Sequence, residues 1–134
     1  VIKKKQAIQF AKISIINNHF EGLNKQNSTL FSCKELCKKI FVGIASSTTH
    51  AYTKSDGVPM LRNQNIKEGL IDMSEILYIN QSFAEEQVTK KLRTGDVITA
   101  RTGYPGNSAV ISSELDGCHS FTTLISRIYP FKYS

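Results

Sequence analysis

Gly57-Val58-Pro59-Met60-Leu61-Arg62-Asn63-Gln64-Asn65-Ile66 opens on a short apolar run and then passes through four consecutive polar side chains before the chain reaches Gly69. An apolar run this short, with a turn residue on either side, suits a β-strand, because a helix needs ten or more residues to present a face. The same texture recurs on both sides of it, in residues 41–45, 76–79, 97–100, 109–111 and 122–128, each followed by a polar loop. The expected fold is therefore α+β, a β-rich body with a few short helices and long loops, rather than a helical bundle. No internal repeat or low-complexity tract interrupts it.

Helical signals are fewer. Ile8, Ala11, Ile15 and Phe20 recur at helical spacing among lysines, which predicts an amphipathic N-terminal helix. The polar stretch from Glu21 to Thr29 then serves as a linker, so residues 1–27 form a helix and linker and residues 28–134 the main domain. Ser32 with Glu35 makes a capping box for a helix to about Lys39, in which Cys33, Leu36, Cys37 and Ile40 share a buried face. Ser82 with Glu85 makes a second, for a helix over 83–92.

With 134 residues, one main domain with a sizeable core is expected. Hydrophobic residues make up 40% and charged residues 21%, which argues against disorder, and no apolar run reaches the ~18 residues needed to cross a bilayer. The net charge of +6 is uneven: +7 over residues 1–54, −2 over 55–100 and +1 over the rest. A basic first third suits a polyanion partner, and equally a solvated lysine-rich face. The three cysteines, 33, 37 and 118, cannot all pair, and no secretory signal precedes them, so a reducing, cytoplasmic setting is expected. A start at Val1 without Met is expected of a chain cut from a longer one, or else of a processed terminus.

Three loops carry polar vocabulary. The first, residues 45–57, offers Ser46, Ser47, Thr48, His50, Tyr52 and Lys54 with little hydrophobic anchorage. Such groups bond phosphate oxygens and base edges, and they also populate ordinary surface loops. The second holds Arg62, Asn63, Gln64 and Asn65. Arg bonds guanine O6 and N7 through two donors, and Asn or Gln does the same for adenine N6 and N7; asparagine-rich turns can equally bond their own backbone. The third runs Arg101-Thr102-Gly103-Tyr104-Pro105-Gly106-Asn107, a strand end feeding a glycine–proline tip. Its glycines permit positive φ and close approach of another backbone.

Catalytic patterns are missing. Cys118 and His119 are sequence neighbours, which on a strand point to opposite faces and make a poor nucleophile and base. His19 and His50 lack an evident carboxylate partner, and Asp96 after Gly95 reads as a turn residue. No nucleophile elbow, zincin motif, Walker loop or dinucleotide fingerprint occurs. Cys33 and Cys37 have no second ligand pair of zinc spacing. The expectation is a protein without catalytic residues, cofactor or metal.

Four pieces in a fixed order carry a family resemblance: Val42-Gly43-Ile44-Ala45; residues 57–66 with Gly69-Leu70-Ile71-Asp72; Leu92-Arg93-Thr94-Gly95-Asp96-Val97-Ile98; and Arg101-Thr102-Gly103-Tyr104-Pro105-Gly106. Together, over residues 36–130, they resemble the target recognition domain of type I restriction-modification specificity subunits. The resemblance implies a twisted, double β-helix-like domain that reads one half of a bipartite site in double-stranded DNA. It also implies partners: a modification subunit that methylates adenine with S-adenosylmethionine, a restriction subunit, and a second recognition domain in the same chain or supplied by dimerisation. Methylation and cleavage would then reside in those partners, with no membrane involved, and this chain has no Asn/Asp-Pro-Pro-Tyr/Phe run of its own.

On that reading Arg62, Gln64, Asn65, Arg101, Tyr104 and Asn107 compete for base edges. Ser46, Ser47, Thr48, His50, Tyr52, Lys54, Asn63 and Thr102 are the phosphate and loop contacts, with the lysines of the first third supplying affinity. The alternative is a truncated or decayed specificity chain that dimerises or binds protein without reading DNA.

Overall fold

The computed structural model of the chain describes residues 31–130, and the unit they form begins at Cys33. The N-terminal helix, the linker and the last four residues lie outside the described residues. What is described is mixed α+β and rich in strands: two four-stranded sheets and two short α-helices, α1 (Cys33–Leu36) and α2 (Gln81–Glu86).

The first sheet has the order β1-β8-β5-β6, built from β1 (Cys37–Val42), β8 (Leu124–Ile128), β5 (Val97–Thr99) and β6 (Ser108–Val110), all antiparallel. Alternation decides its buried face. Ile98 pairs with both Ala109 and Ile125, and all three are buried, whereas Val97 and Thr99 are partly exposed. Full burial of an isoleucine such as Ile98 or Ile125 stabilises by roughly 1.5–3 kcal/mol.

The second sheet has the order β2-β4-β3-β7, from β2 (Tyr52–Thr53), β4 (Leu77–Ile79), β3 (Val58–Leu61) and β7 (His119–Ser120). Here β3 is central, antiparallel to β4 and parallel to β7. Its adjacent residues Met60 and Leu61 point to opposite faces and are both fully buried, because a hydrophobic cluster covers each face. Met60 enters a cluster with Ile44, Ala51, Ile79, Phe83 and Ala84. Leu61 enters the larger cluster with Ile66, Leu92, Ile98, Ile111 and Ile125. The strand that opened the sequence reading thus separates two cores.

Gly43 lets the chain leave β1 for the second sheet. Its N–H bonds the Thr123 carbonyl at 3.0 Å and the Ile44 N–H bonds the Ser120 carbonyl at 2.8 Å, and a Cβ on Gly43 would collide with Ser120. At the other end of the first sheet, Asp96 is 2% exposed and accepts from Arg127 through both oxygens at 2.8 and 2.7 Å, and from the Arg93 N–H at 2.9 Å. That arrangement ties the 93–96 turn to β8, the structural use expected of Asp96.

The helices depart from expectation. The helix that begins at Cys33 ends after Leu36, because Cys37 onward pairs with β8 through a register shift between Cys37 and Lys39. Cys33 and Ile40 are consequently exposed and Cys37 only partly buried, so the expected buried cysteine face does not form. The second helix starts earlier than expected, at Gln81, since the Asn80 side chain accepts from the Phe83 N–H at 2.8 Å and acts as the N-cap in place of Ser82. It gives way to a 3-10 turn at Val88–Lys90 rather than continuing to Leu92.

Candidate nucleic-acid interface

The second and third loops meet. Leu61, buried at the end of β3, delivers Arg62 to a 3-10 turn at Asn63–Asn65. Asn65 closes that turn: its Oδ1 accepts the Arg62 N–H at 2.8 Å and its Nδ2 donates to the Asp72 carbonyl at 3.0 Å. The side chain is buried and both ends of its amide are engaged, so the structure gives Asn65 a scaffold part in place of the expected base contact. Asn63 rivets the two loops together, its Oδ1 accepting the Arg101 N–H at 2.7 Å and its Nδ2 donating to Thr122 Oγ1 at 3.2 Å.

The third loop is pinched at its neck. The Ala100 N–H donates to the Asn107 carbonyl at 2.8 Å and the Gly106 N–H to the Ala100 carbonyl at 3.1 Å, so residues 101–106 project as a closed, exposed tip. Gly103 and Gly106 turn it with φ of 74° and 98°, values that favour glycine. Tyr104 at the tip is 77% exposed. Asn107 stays at the neck, half-buried, its Nδ2 directed to the Ile66 carbonyl at 3.4 Å.

Between the loops lies an open cleft of about 440 Å³, lined by Arg62, Asn63, Gln64, Ile66 and Lys67 from one loop, Thr102, Gly103 and Tyr104 from the other, and Phe121 and Thr122. Arg62 is anchored at one end: Nη2 donates to the Glu75 carbonyl at 2.7 Å, and Nε is buried without a partner. A guanidinium has five N–H donors, so others remain for a ligand. Gln64 is exposed and touches Glu75 weakly, at 3.4 Å. Arg101 is exposed beside the cleft, with its backbone held by Asn63.

The first loop does not line this cleft. Contrary to expectation it is anchored, with Thr48 and Ala51 buried and the His50 ring edge-on to Phe83 at 5.2 Å. Its hydroxyls bond one another, Ser47 to Thr49 at 3.4 Å and Thr48 to Tyr52 at 3.1 Å, while Ser46 and Lys54 are exposed. Lys67, Phe121 and Thr122 are cleft residues that sequence reasoning missed. Lys67 stands two residues past the polar run, after Ile66, and could have been included. Phe121 and Thr122 arrive by the pairing of distant segments, and Thr122 adopts a φ of 54° that nothing in its residue type announces.

The remaining reactive groups are enclosed. Burial pushes the Cys118 thiol up to about 12, so it stays protonated. The His119 ring is buried beside it and its Nε2 donates to the Ala84 carbonyl at 3.1 Å, since a carbonyl can only accept. Among the described residues no group of three or more His, Cys, Asp or Glu is placed to hold a metal ion, and no helix is long and apolar enough to cross a membrane.

Fold and cleft together define a strand-rich α+β domain that presents cationic, amide and aromatic side chains on an open surface cleft. No protein-family model matches the chain, and no curated protein matches it.

Proposed function

We propose that the chain is the DNA target recognition domain of a type I restriction-modification specificity subunit, or of a related fused enzyme. In this reading it is non-catalytic and cytoplasmic, reads one half of a bipartite site, and directs a partner adenine methyltransferase and endonuclease. A second recognition domain, in the same chain or from a second copy, supplies the other half-site. The observation that carries the reading is the cleft, because it joins the two loops whose residues resemble the family's and which hold base-reading vocabulary. The double β-helix-like twist belongs to the same proposal, and the parallel pairing of β3 with β7 within the second sheet is compatible with it.

Gln64 and Tyr104 within the cleft, and Arg101 beside it, are exposed groups that can reach a base edge. Arg62, anchored to Glu75, presents its remaining donors, and Asn63 and Asn65 hold the frame. A target adenine would be flipped into the methyltransferase partner.

Selection from a randomised duplex pool, with the full chain alone and with the modification subunit, tests this. One half-site should be enriched, and Gln64→Ala or Arg101→Ala should each relax one position at a cost of about 1–3 kcal/mol. If no sequence is enriched even with the modification subunit present, the reading is wrong.

One observation favours the interaction reading instead. Pro59, Ile71, Met73, Val110 and Leu115 line an apolar groove in which Met73 is 40% and Val110 61% exposed. A concentration-dependent dimer that Val110→Lys abolishes, together with a pool that enriches nothing, would establish a specificity chain that assembles without reading DNA.

A further inference from the structure

Residues 31–130 carry eleven Lys and Arg and ten Asp and Glu, a net charge of only +1. Six of those eleven cations collect at one place. Lys39, Lys90 and Arg127 stand over the Phe41 ring, at 4.6, 5.9 and 5.4 Å from its centroid. Arg127 also lines, with Lys38 and Arg93, an open cleft of about 450 Å³ that shares no residue with the cleft between the two loops. Lys91 joins them through its carbonyl, which accepts from Arg127 Nη2 at 3.1 Å.

Two carboxylates of this surface are Asp96, paired with Arg127 at 2.7 Å, and Asp116, bonded by Thr94. Hydrogen bonds from the Thr94 N–H and hydroxyl hold the Asp116 carboxyl below its ordinary value, and the nearby Arg93 and Lys91 add to the effect. These eight groups sum to +4, which leaves −3 for the rest of residues 31–130. The charge of a nearly neutral domain is therefore segregated.

Two of the ammonium groups are also held in place. Lys90 Nζ donates to the Val42 carbonyl at 2.8 Å, and Lys39 Nζ reaches the Thr89 carbonyl at 3.5 Å. Like charges brought this close repel one another, and a polyanion that spans them removes the repulsion. Lys38 and Arg93, both exposed, flank the cleft as a point charge and a planar fork, the two side-chain chemistries that take phosphate oxygens.

We propose that the surface formed by β1, residues 88–93 and Arg127 of β8 is a second DNA-contacting site, which binds duplex phosphates outside the half-site read by the loop cleft. It rests on the DNA reading above for the identity of its partner. Its contribution is affinity without sequence preference, so base reading and backbone holding are divided between two clefts of one domain.

The test is the full-length double variant Lys38→Gln/Arg93→Gln, which leaves Lys39, Lys90 and Arg127 with their partners. Binding to randomised duplex should weaken, and the salt dependence should become shallower by about 1.8 log units per log unit of salt, at ~0.9 per phosphate contact. The sequence enriched should be that of the parent. Lys38→Gln alone, at an exposed strand position, should give about half that change and serves if the double variant melts early.

Unchanged affinity and slope in a folded variant overturns the proposal. A parent that enriches a half-site, with the variant binding equally well, keeps the base reading and removes the patch. A parent that enriches nothing, with variants that lose salt-dependent binding, keeps the patch and removes the base reading. Binding to phosphatidylserine vesicles that the variants abolish, with duplex affinity unaffected, assigns the surface to a membrane and overturns the proposal.

Discussion

Asn65 and Gln64 are adjacent amides with opposite fates, and the difference is geometric. Asn65 sits at the third position of a 3-10 turn, where its short side chain reaches the Arg62 N–H and the Asp72 carbonyl at once. Gln64 is turned to solvent. Asn65→Ala should leave two polar groups of the loop without partners and cost about 1–3 kcal/mol in chemical denaturation, whereas Gln64→Ala should stay within ~0.5 kcal/mol. Equal destabilisation by both would contradict the scaffold assignment. Residue type alone announces a run of amides and their alternative uses in base reading or in capping. It does not say which amide faces inward, because that depends on the turn that brings the Arg62 N–H and the Asp72 carbonyl within reach of Asn65.

At the scale of elements, β7 is the least legible in the sequence and the most constrained in the fold. Its two residues, His119 and Ser120, are fully buried against the end of β3. Two polar residues give no alternation from which to infer a strand, and a parallel pairing across about sixty residues leaves no local mark. By contrast β3 and β5 lie close to where short apolar runs place them, since local pattern and tertiary burial agree there. The capping box at Ser32 met the opposite fate: local signals favour a longer helix, and pairing with β8 converts its second half to strand.

His119 adds a pH dependence to this element. Burial lowers its folded pKa from 6.5, and a proton on Nδ1, which has no partner, would be enclosed without one. The unfolded chain then binds a proton that the folded chain refuses. The stability associated with His119 is full above pH 6.5 and is lost as the pH falls from there through the lowered folded value. Urea midpoints should fall between pH 7.5 and pH 5, and His119→Gln should flatten that change. Asp72 and Asp116, lowered chiefly by hydrogen bonds from Ser74 and Thr94 respectively, act in the same direction only at more acidic pH. A midpoint that the substitution leaves equally sensitive over this window would exclude His119 as its source.

For the whole molecule, the two clusters on either side of β3 tie distant segments into one body, and Cys118 reports on it. Its thiol belongs to the larger cluster and is pushed up to about 12, while Cys33 is exposed. Alkylation in buffer should modify Cys33 and spare Cys118, and Cys118 should become reactive together with the loss of ellipticity in denaturant, as read by peptide mass. Labelling of Cys118 in buffer at the rate of Cys33 would mean that the cluster opens locally. The α+β class and most strand positions are legible because they follow from periods of a few residues. Which strands pair, and the gathering of cations from residues 38–39, 90–93 and 127, are not legible, since these residues are scattered in sequence and folding alone unites them.

The neck between Ala100 and Asn107 has a consequence for diversification. It closes through backbone groups, and the contact from Asn63 also meets a backbone N–H of the tip, so most of what holds residues 101–106 in place is indifferent to their side chains. Provided its two glycines keep their conformation, the tip is an exchangeable cassette. New side chains can be tried there while the ladder below stays paired, which lets one scaffold sample many surfaces without refolding.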